Sequence, residues 1–298
     1  MRALVLSDIH GNLEALDAVL AAAEGLYDEL WNLGDMVGYG ASPNQVIDRI
    51  RPLSDIVVRG NHDRVCCGLT SPSGFNPVAR QAALWTREEL SRSNLNWLQQ
   101  APRGPVCPML PGVTCVHGSP LDEDQYILSM RDAWAPLQQM DCAHGTGISM
   151  TFFGHTHVQG GFAQRAEDWQ ELRPHYPVVA AEPAHEPEAR QQVFAGAGVG
   201  TPAKKRFSLR LPTVARPALR AEAQSHRLPI TAGTRYLINP GSVGQPRDYD
   251  WRAAFAIYDS VAGSIVFHRV PYDLASSQDR ILRAKLPERL AARLREGR

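Results

Sequence analysis

Short apolar runs, each ending at a polar residue of distinctive chemistry, punctuate the first part of the chain. Arg2 to Ser7 is a β-rich apolar run that stops at Asp8, as a buried strand would. Leu30-Trp31-Asn32-Leu33 stops at Gly34-Asp35, and Asp55 to Val58 leads into Arg59-Gly60-Asn61. Between these runs the period changes. Leu13, Leu16, Val19 and Leu20 recur at helical spacing behind Asn12, a residue type suited to capping. A second helical segment is expected around Pro43 to Ile50. This β-α-β-α-β rhythm predicts parallel strands joined by helical crossovers. Ligand sites in such sheets collect at the carboxyl ends of the strands, so Asp8, Asp35 and Asn61 can converge although they are far apart in sequence.

The later pattern is less regular. Pro77 to Gln100 reads as one or two helices, interrupted near Ser91 to Asn94. Val113 to Val116 reads as a strand delivering His117, and Met150 to Phe153 as one delivering Gly154-His155. A helix is expected around Asp124 to Gln139, ended or kinked by Pro136. Strands are expected near Gly161 to Gln164 and Gln192 to Ala195, with long loops around them. Tyr236 to Asn239, Ala253 to Tyr258 and Ser264 to Val270 read as strands. Ser276 to Arg295 reads as a basic amphipathic surface helix packing on the sheet and stepped at Pro287. The expected organisation is a single domain over 1–298 with a Pro/Ala-rich insertion at about 165–233, either a specificity element or a tolerated loop.

Bulk properties narrow the classes. The chain has 298 residues, 44% of them hydrophobic, which is ample for a core. Lys+Arg and Asp+Glu are both 31, so the charge footprint of a dedicated nucleic-acid binder is missing. No apolar run approaches the roughly 20 residues of a membrane span. The start of the chain lacks the charged lead and cleavage site of a secretory signal, and a cytoplasmic location is expected. Cys66, Cys67, Cys107, Cys115 and Cys142 form no Cys-x-x-Cys pair. Their odd count and irregular spacing argue against a disulfide framework.

Five segments then supply candidate chemistry: Asp8-Ile9-His10, Gly34-Asp35, Gly60-Asn61-His62-Asp63, His117-Gly118 and Gly154-His155-Thr156-His157. They offer the carboxylates of Asp8 and Asp35, the amide oxygen of Asn61, and the imidazoles of His10, His117, His155 and His157. Two adjacent divalent metals that bind a phosphate need such an inventory. A lone histidine is more often structural, and a Gly-His-Thr-His fragment alone is weak. His155 and His157 nevertheless alternate, so an extended backbone turns both to one side. It is the conjunction of the five segments that carries the reading.

In this order the segments resemble calcineurin-like metallophosphoesterases. Ser7-Asp8-Ile9-His10-Gly11-Asn12, Gly34-Asp35-Met36-Val37-Gly38-Tyr39-Gly40 with Pro43-Asn44, and Asn239 to Asp248 are similar to the bacterial predicted phosphodiesterase branch, as is Leu286-Pro287-Glu288-Arg289-Leu290. The resemblance spans 1–160 and 234–298. It implies an α/β fold: a four-layer β-sandwich flanked by α-helices, with a dimetal site at the strand ends. Carried over by position, one metal takes Asp8, His10, Asp35 and His157. The other takes Asp35, Asn61, His117 and His155, and Asp35 bridges. Mixed nitrogen and oxygen donors suit manganese first, then iron, zinc, nickel, cobalt or magnesium.

The implied activity is metal-dependent phosphoester hydrolysis, with a dimetal-bridging hydroxide as nucleophile. His62 is expected to protonate the leaving alkoxide or stabilise equatorial charge, with Asp63 orienting its ring; the competing reading makes His62 a structural partner of Asp63. Arg247 is expected to clamp substrate phosphate, against a turn in which it pairs with Asp248 or Asp250. Tyr39 either meets substrate or packs its loop. Diester preference comes from the family branch. The alternatives are a monoesterase (on a nucleotide, dinucleoside polyphosphate or phosphoprotein) and a non-catalytic binding module that kept the fold. The expected partner is a small phosphoester, with no membrane and no nucleic acid; a homo-oligomer stays open.

Overall fold

Alternation along the first strand decides the layering. The computed structural model describes residues 1–140, 149–176 and 222–298. In β1 (Arg2–Leu6), Ala3 and Val5 join one apolar cluster while Leu4 and Leu6 join another. The two-residue period of a strand requires this split, so both faces of the strand are covered. Helix α1 (Leu13–Ala22) starts where Asn12 Oδ1 accepts the Ala15 N–H at 3.1 Å, and it buries Ala15, Leu16, Val19 and Leu20. Strand β2 (Glu29–Asn32), helix α2 (Pro43–Ile50) and strand β3 (Ile56–Val57) follow. β1, β2 and β3 pair in parallel.

β3 is shorter than the apolar run Asp55 to Val58, because Gly60 caps a new helix, α3 (Asn61–Cys66). Helices α4 (Pro77–Glu89) and α5 (Arg92–Gln100) fill the next helical stretch. They part at Leu90 and Ser91, where the Ser91 hydroxyl accepts the Asn94 N–H at 3.2 Å. After β4 (Val113–Cys115), helix α6 begins later than expected, spanning Met130–Gln139. Ser129 and Asp132 form a reciprocal capping box there, and Pro136 is accommodated inside the helix.

The rest of the chain completes two sheets. β5 (Met150–Phe152), β6 (Gly160–Arg165), β7 (Asp168–Leu172), β8 (Gln224–Pro229), β9 (Arg235–Asn239), β10 (Ala253–Asp259) and β11 (Ser264–Val270) precede α7 (Leu274–Arg283) and α8 (Glu288–Glu296). The first sheet has the order β3-β2-β1-β10-β11-β8 and the second β4-β5-β9-β6-β7. Their inner faces meet through Trp31, Phe152 and Tyr258, with ring centroids 5.5–6.1 Å apart. Truncating Trp31 or Phe152 to alanine is worth about 3–5 kcal/mol of lost stability. α1 and α2 cover the outer face of the first sheet, and α6 covers that of the second. The result is the four-layer α/β sandwich flanked by helices.

Some expectations change and others fall outside the described residues. Within the stretch 165–233 read as an insertion, strands β7 and β8 pair into the sheets. Met1–Pro177 and Glu222–Arg298 form one compact unit. The strand expected at Gln192 to Ala195 lies outside the described residues, as does Cys142. The terminal segment is two helices, and α8 packs Leu290, Ala291 and Leu294 against Tyr39, Ala79 and Ala82 rather than on a sheet. Among the described residues the cysteines are free thiols, and no helix is long and apolar enough to cross a membrane.

Candidate metal centre

Both sheets present the carboxyl ends of parallel strands to one edge. In the first sheet β1, β2 and β3 lead to Asp8, Asp35 and Asn61. In the second, β4 and β5 are parallel and lead to His117 and to His155-Thr156-His157. The turns there are tight. Asp8, His10, Asp35, His155 and His157 all have φ between 49° and 65°, a left-handed region that side-chain-bearing residues rarely adopt. Such strain is of order 1–3 kcal/mol per residue and persists only where surroundings enforce it. Here the enforcing contacts are backbone hydrogen bonds: Asp8 N–H to Gly34 O at 3.0 Å, His10 N–H to Asp35 O at 2.9 Å, and Gly154 N–H to His117 O at 2.8 Å. The last ties β4 to the loop after β5. Glycine is required at two of these approaches. A Cβ on Gly60 would overlap the Asp35 carboxylate, and one on Gly154 would overlap the Ser7 hydroxyl.

The Asp8 and Asp35 carboxylates are each held by one oxygen and leave the other open. Asp35 Oδ1 accepts the His62 N–H at 2.8 Å, and Asp8 Oδ2 accepts the His155 N–H at 3.1 Å. Asp35 Oδ2 and Asp8 Oδ1 have no hydrogen-bond partner among the described residues. Orphaned buried acceptors of this kind call for an explanation, and their neighbours supply one. Asp35 Oδ2 lies 3.6 Å from His10 Nε2 and 3.4 Å from His117 Nε2. Asp8 Oδ1 lies 3.2 Å from His157 Nε2 and 3.9 Å from His10 Nε2. His10 Nε2 and His157 Nε2 are 3.1 Å apart, and Asn61 Oδ1 is 3.2 Å from His117 Nε2. Two groups that can hold a cation result: Asp8, His10, Asp35 and His157, and Asp35, His117 and His155. Asn61 adjoins the second. Asp35 is common to both, so the donor set fits two cations sharing one carboxylate.

The far sides of the rings are fixed as metal-binding imidazoles usually are. His10 Nδ1 faces Val37 O at 3.2 Å, His117 Nδ1 faces Leu33 O at 2.8 Å, and His157 Nδ1 faces Gln245 O at 2.6 Å. These bonds leave each Nε2 lone pair for the centre. His155 is turned around: its Nε2 faces Asp124 O at 3.1 Å, which leaves Nδ1.

The electrostatics show a site that demands positive charge. Burial opposes ionisation of Asp8 and Asp35, yet the imidazoles outweigh it and hold both carboxyls well below the usual range; His157 leads for Asp8 and His117 for Asp35. The counterpart is His117. Burial disfavours its charge, but Asp35 more than compensates, and its pKa is pushed up to about 10. His155, by contrast, is pushed down to about 3 by burial and by His117.

Among the residues expected to assist catalysis, His62 lies beside the ligands. Its ring is 4.9 Å from His10, 4.4 Å from Tyr39 and 4.5 Å from Phe75. Its Nδ1 is buried against Gly38 with no partner among the described residues, so Nε2 is the end turned to the open side. Asp63 has a different task from the one expected. Its oxygens accept the Val37 and Gly60 N–H groups, both at 3.1 Å. It braces the two ligand loops and does not orient the His62 ring; burial and Asp35 raise its pKa to about 7. Arg247 pairs with neither nearby aspartate. Asp248 is taken by Arg269 and Asp250 by Arg252, while Arg247 Nε is buried without a partner among the described residues. The Arg247 N–H bonds the His157 carbonyl at 3.1 Å, so the arginine stands next to a ligand. Tyr39 packs its loop under α8.

A cleft of about 350 Å³ opens beside Asn61, His62 and His155. Phe75 and Tyr126 line it, and the Tyr126 ring lies 4.0 Å from that of His155. Arg64 fixes its far wall through Glu123 and Asp124. No sequence signal marks Phe75 or Tyr126, since neither stands in a motif or at a strand end.

Comparisons agree with this geometry. A profile of the calcineurin-like phosphoesterase family matches residues 1–159. The chain is 30% identical over 297 residues to a protein named Uncharacterized protein MJ0912 of Methanocaldococcus jannaschii, covering 99% of this chain and 97% of that one. The crystal structure of a metallophosphoesterase from Sphaerobacter thermophilus is 35% identical with a TM-score of 0.71, covering 100% of this chain and 99% of that one. The hypothetical protein PH1004 from Pyrococcus horikoshii OT3 shares the fold at 20% identity and a TM-score of 0.67, covering 100% and 98%. With the family profile matching more than half of the chain, behind the strand-end donors, the chain belongs to the calcineurin-like phosphoesterase family, and that membership implies a phosphoester hydrolase.

Proposed function

We propose that the protein hydrolyses phosphodiesters at a dimetal centre built on Asp8, His10, Asp35, Asn61, His117, His155 and His157. One observation carries this reading: the unpartnered Asp35 Oδ2 faces histidines of both ligand groups. Divalent cations bound by these residues, with manganese the first choice, would supply an activated water near neutral pH and charge to neutralise phosphate oxygens. The protein's own part is orientation and charge. Backbone carbonyls aim the imidazoles, and the left-handed turns hold the carboxylates without reorganisation.

His62 acts as a hydrogen-bond donor to the phosphate. Burial pushes its pKa down to about 4, so it is neutral at pH 7 and donates an N–H to an equatorial or leaving oxygen rather than acting as an imidazolium acid. Arg247, which lacks a carboxylate partner among the described residues and makes only a long bond from Nη2 to Gln245 Oε1 (3.4 Å), clamps a phosphate oxygen pair. The aromatic cleft beside His62 and His155 suits an uncharged organic arm of the ester, which favours a diester.

The test is nitrophenol release from bis(p-nitrophenyl) phosphate and p-nitrophenyl phosphate, with manganese, cobalt, nickel, zinc and magnesium added in turn. Metal-dependent turnover with kcat/KM at least about tenfold higher for the diester is the expected result. A reversed preference overturns the diester reading. No metal-dependent release from either ester overturns the hydrolase.

A further inference from the structure

The terminal helices contribute a feature that the catalytic reading does not use. α8 places Arg289 and Arg293 on the side of a hollow of about 720 Å³, with Asn76 and Val78 from the start of α4, and with Glu296 and Arg298. Asn76 also lines the aromatic cleft beside the ligands, so the two spaces adjoin. The link to the centre is direct. The Arg293 guanidinium lies 5.9 Å from the centre of the Tyr39 ring, which is 4.7 Å from that of the ligand candidate His10.

The charge in this region is unbalanced. Three arginines line the hollow against one glutamate, in a chain whose formal net charge is zero. Arg293 Nε donates to the Arg298 carbonyl at 2.7 Å, which leaves the other guanidinium N–H groups available. Arg247 is close enough to Arg293 to repel its charge. Burial and then repulsion from Arg247 lower the Arg293 pKa, so the two guanidiniums sense each other. Asn76 and Val78 place the first turn of α4 on the wall of the hollow, and a helix amino terminus favours negative charge.

We propose that this hollow is a second anion subsite, and that the physiological ester carries a second phosphoryl group held by Arg293 and Arg289, on the opposite side of Tyr39 from the scissile phosphate. The proposal rests on the phosphoesterase reading above and names the substrate class for that site. The sandwich core supplies the metals and the terminal helices supply the selection.

The experiment compares p-nitrophenyl hydroxyalkyl phosphodiesters with their ω-phosphorylated counterparts, over short, medium and long alkyl linkers, on the metal-loaded protein. Both series share the same scissile bond and leaving group. The expected result is that, at one or more linker lengths, the remote phosphate raises kcat/KM at least about tenfold, mainly through KM. Arg293→Gln then brings each ester to within about twofold of its partner. A general folding defect would lower both series alike and leave their ratio standing, so the ratio reports the subsite alone. No gain at any linker length in the wild-type protein overturns the proposal, as does a gain that survives Arg293→Gln. Failure of the hydrolase reading looks different: neither series then releases nitrophenol.

Discussion

The Asp35 carboxylate, at the end of a strand in one sheet, lies 3.4 Å from the His117 imidazole, delivered by a strand of the other. The candidate metal centre therefore joins the two sheets at their common edge. A ligand that binds only the folded state stabilises it by mass action, by about 2.7 kcal/mol at a hundred times its dissociation constant. Manganese should raise the thermal midpoint of chelator-treated protein by several degrees. Calorimetric scans showing the same midpoint with and without metal would remove this clasp.

Because Asp35 alone among the described residues serves both groups, ligand substitutions should differ in stoichiometry. Asp35→Asn is expected to leave almost no tightly bound metal. His157→Ala, which touches only the group with Asp8 and His10, should leave about one metal per chain. Elemental analysis of the purified variants reads this directly. Equal losses in the two variants contradict the bridging role.

His62 is not a ligand in this account, so His62→Ala should keep its metals while turnover falls by about 10²–10⁴-fold. The fall should be steeper for alkyl than for aryl leaving groups. Loss of metal together with activity would return His62 to a structural role.

Much of the site was legible because strands announce their ends. Asp8, Asp35 and Asn61 each follow an apolar run, and the alternation of His155 and His157 is visible in the chain. The assignment of Asp63 to the His62 ring failed for a local reason. Adjacent residues at the start of a helix point apart, and Asp63, third in α3, turns back to its own cap at Gly60. β7 was illegible because its hairpin turns at Ala166, at φ 51°, without the glycine or asparagine that usually marks such a turn. β8 is an edge strand whose exposure alternates between half-buried and open, and a polar sequence there carries little signal. Tyr126 meets His155, and Arg293 meets Tyr39, only through tertiary packing, which no spacing rule reports.

The metal-free protein should depend on pH through His117. Its folded pKa of about 10 stands above the ordinary histidine value of about 6.5, so the native state holds the proton more tightly than the unfolded chain between these values. That stabilisation is complete below pH 6.5 and is lost as pH rises through about 10. The thermal midpoint of the metal-free protein is expected to fall across this window. In metal-loaded protein, where a cation replaces the proton, this contribution should vanish. Parallel pH profiles for the two forms would contradict the exchange of proton for metal.

Crystals grown with excess manganese, measured at the metal's absorption edge, test the central claim most directly. The account predicts two anomalous peaks about 3.5–4 Å apart, flanking Asp35 Oδ2, one among Asp8, His10 and His157 and the other among Asn61, His117 and His155. A single peak, or peaks that Asp35 does not touch, would contradict it.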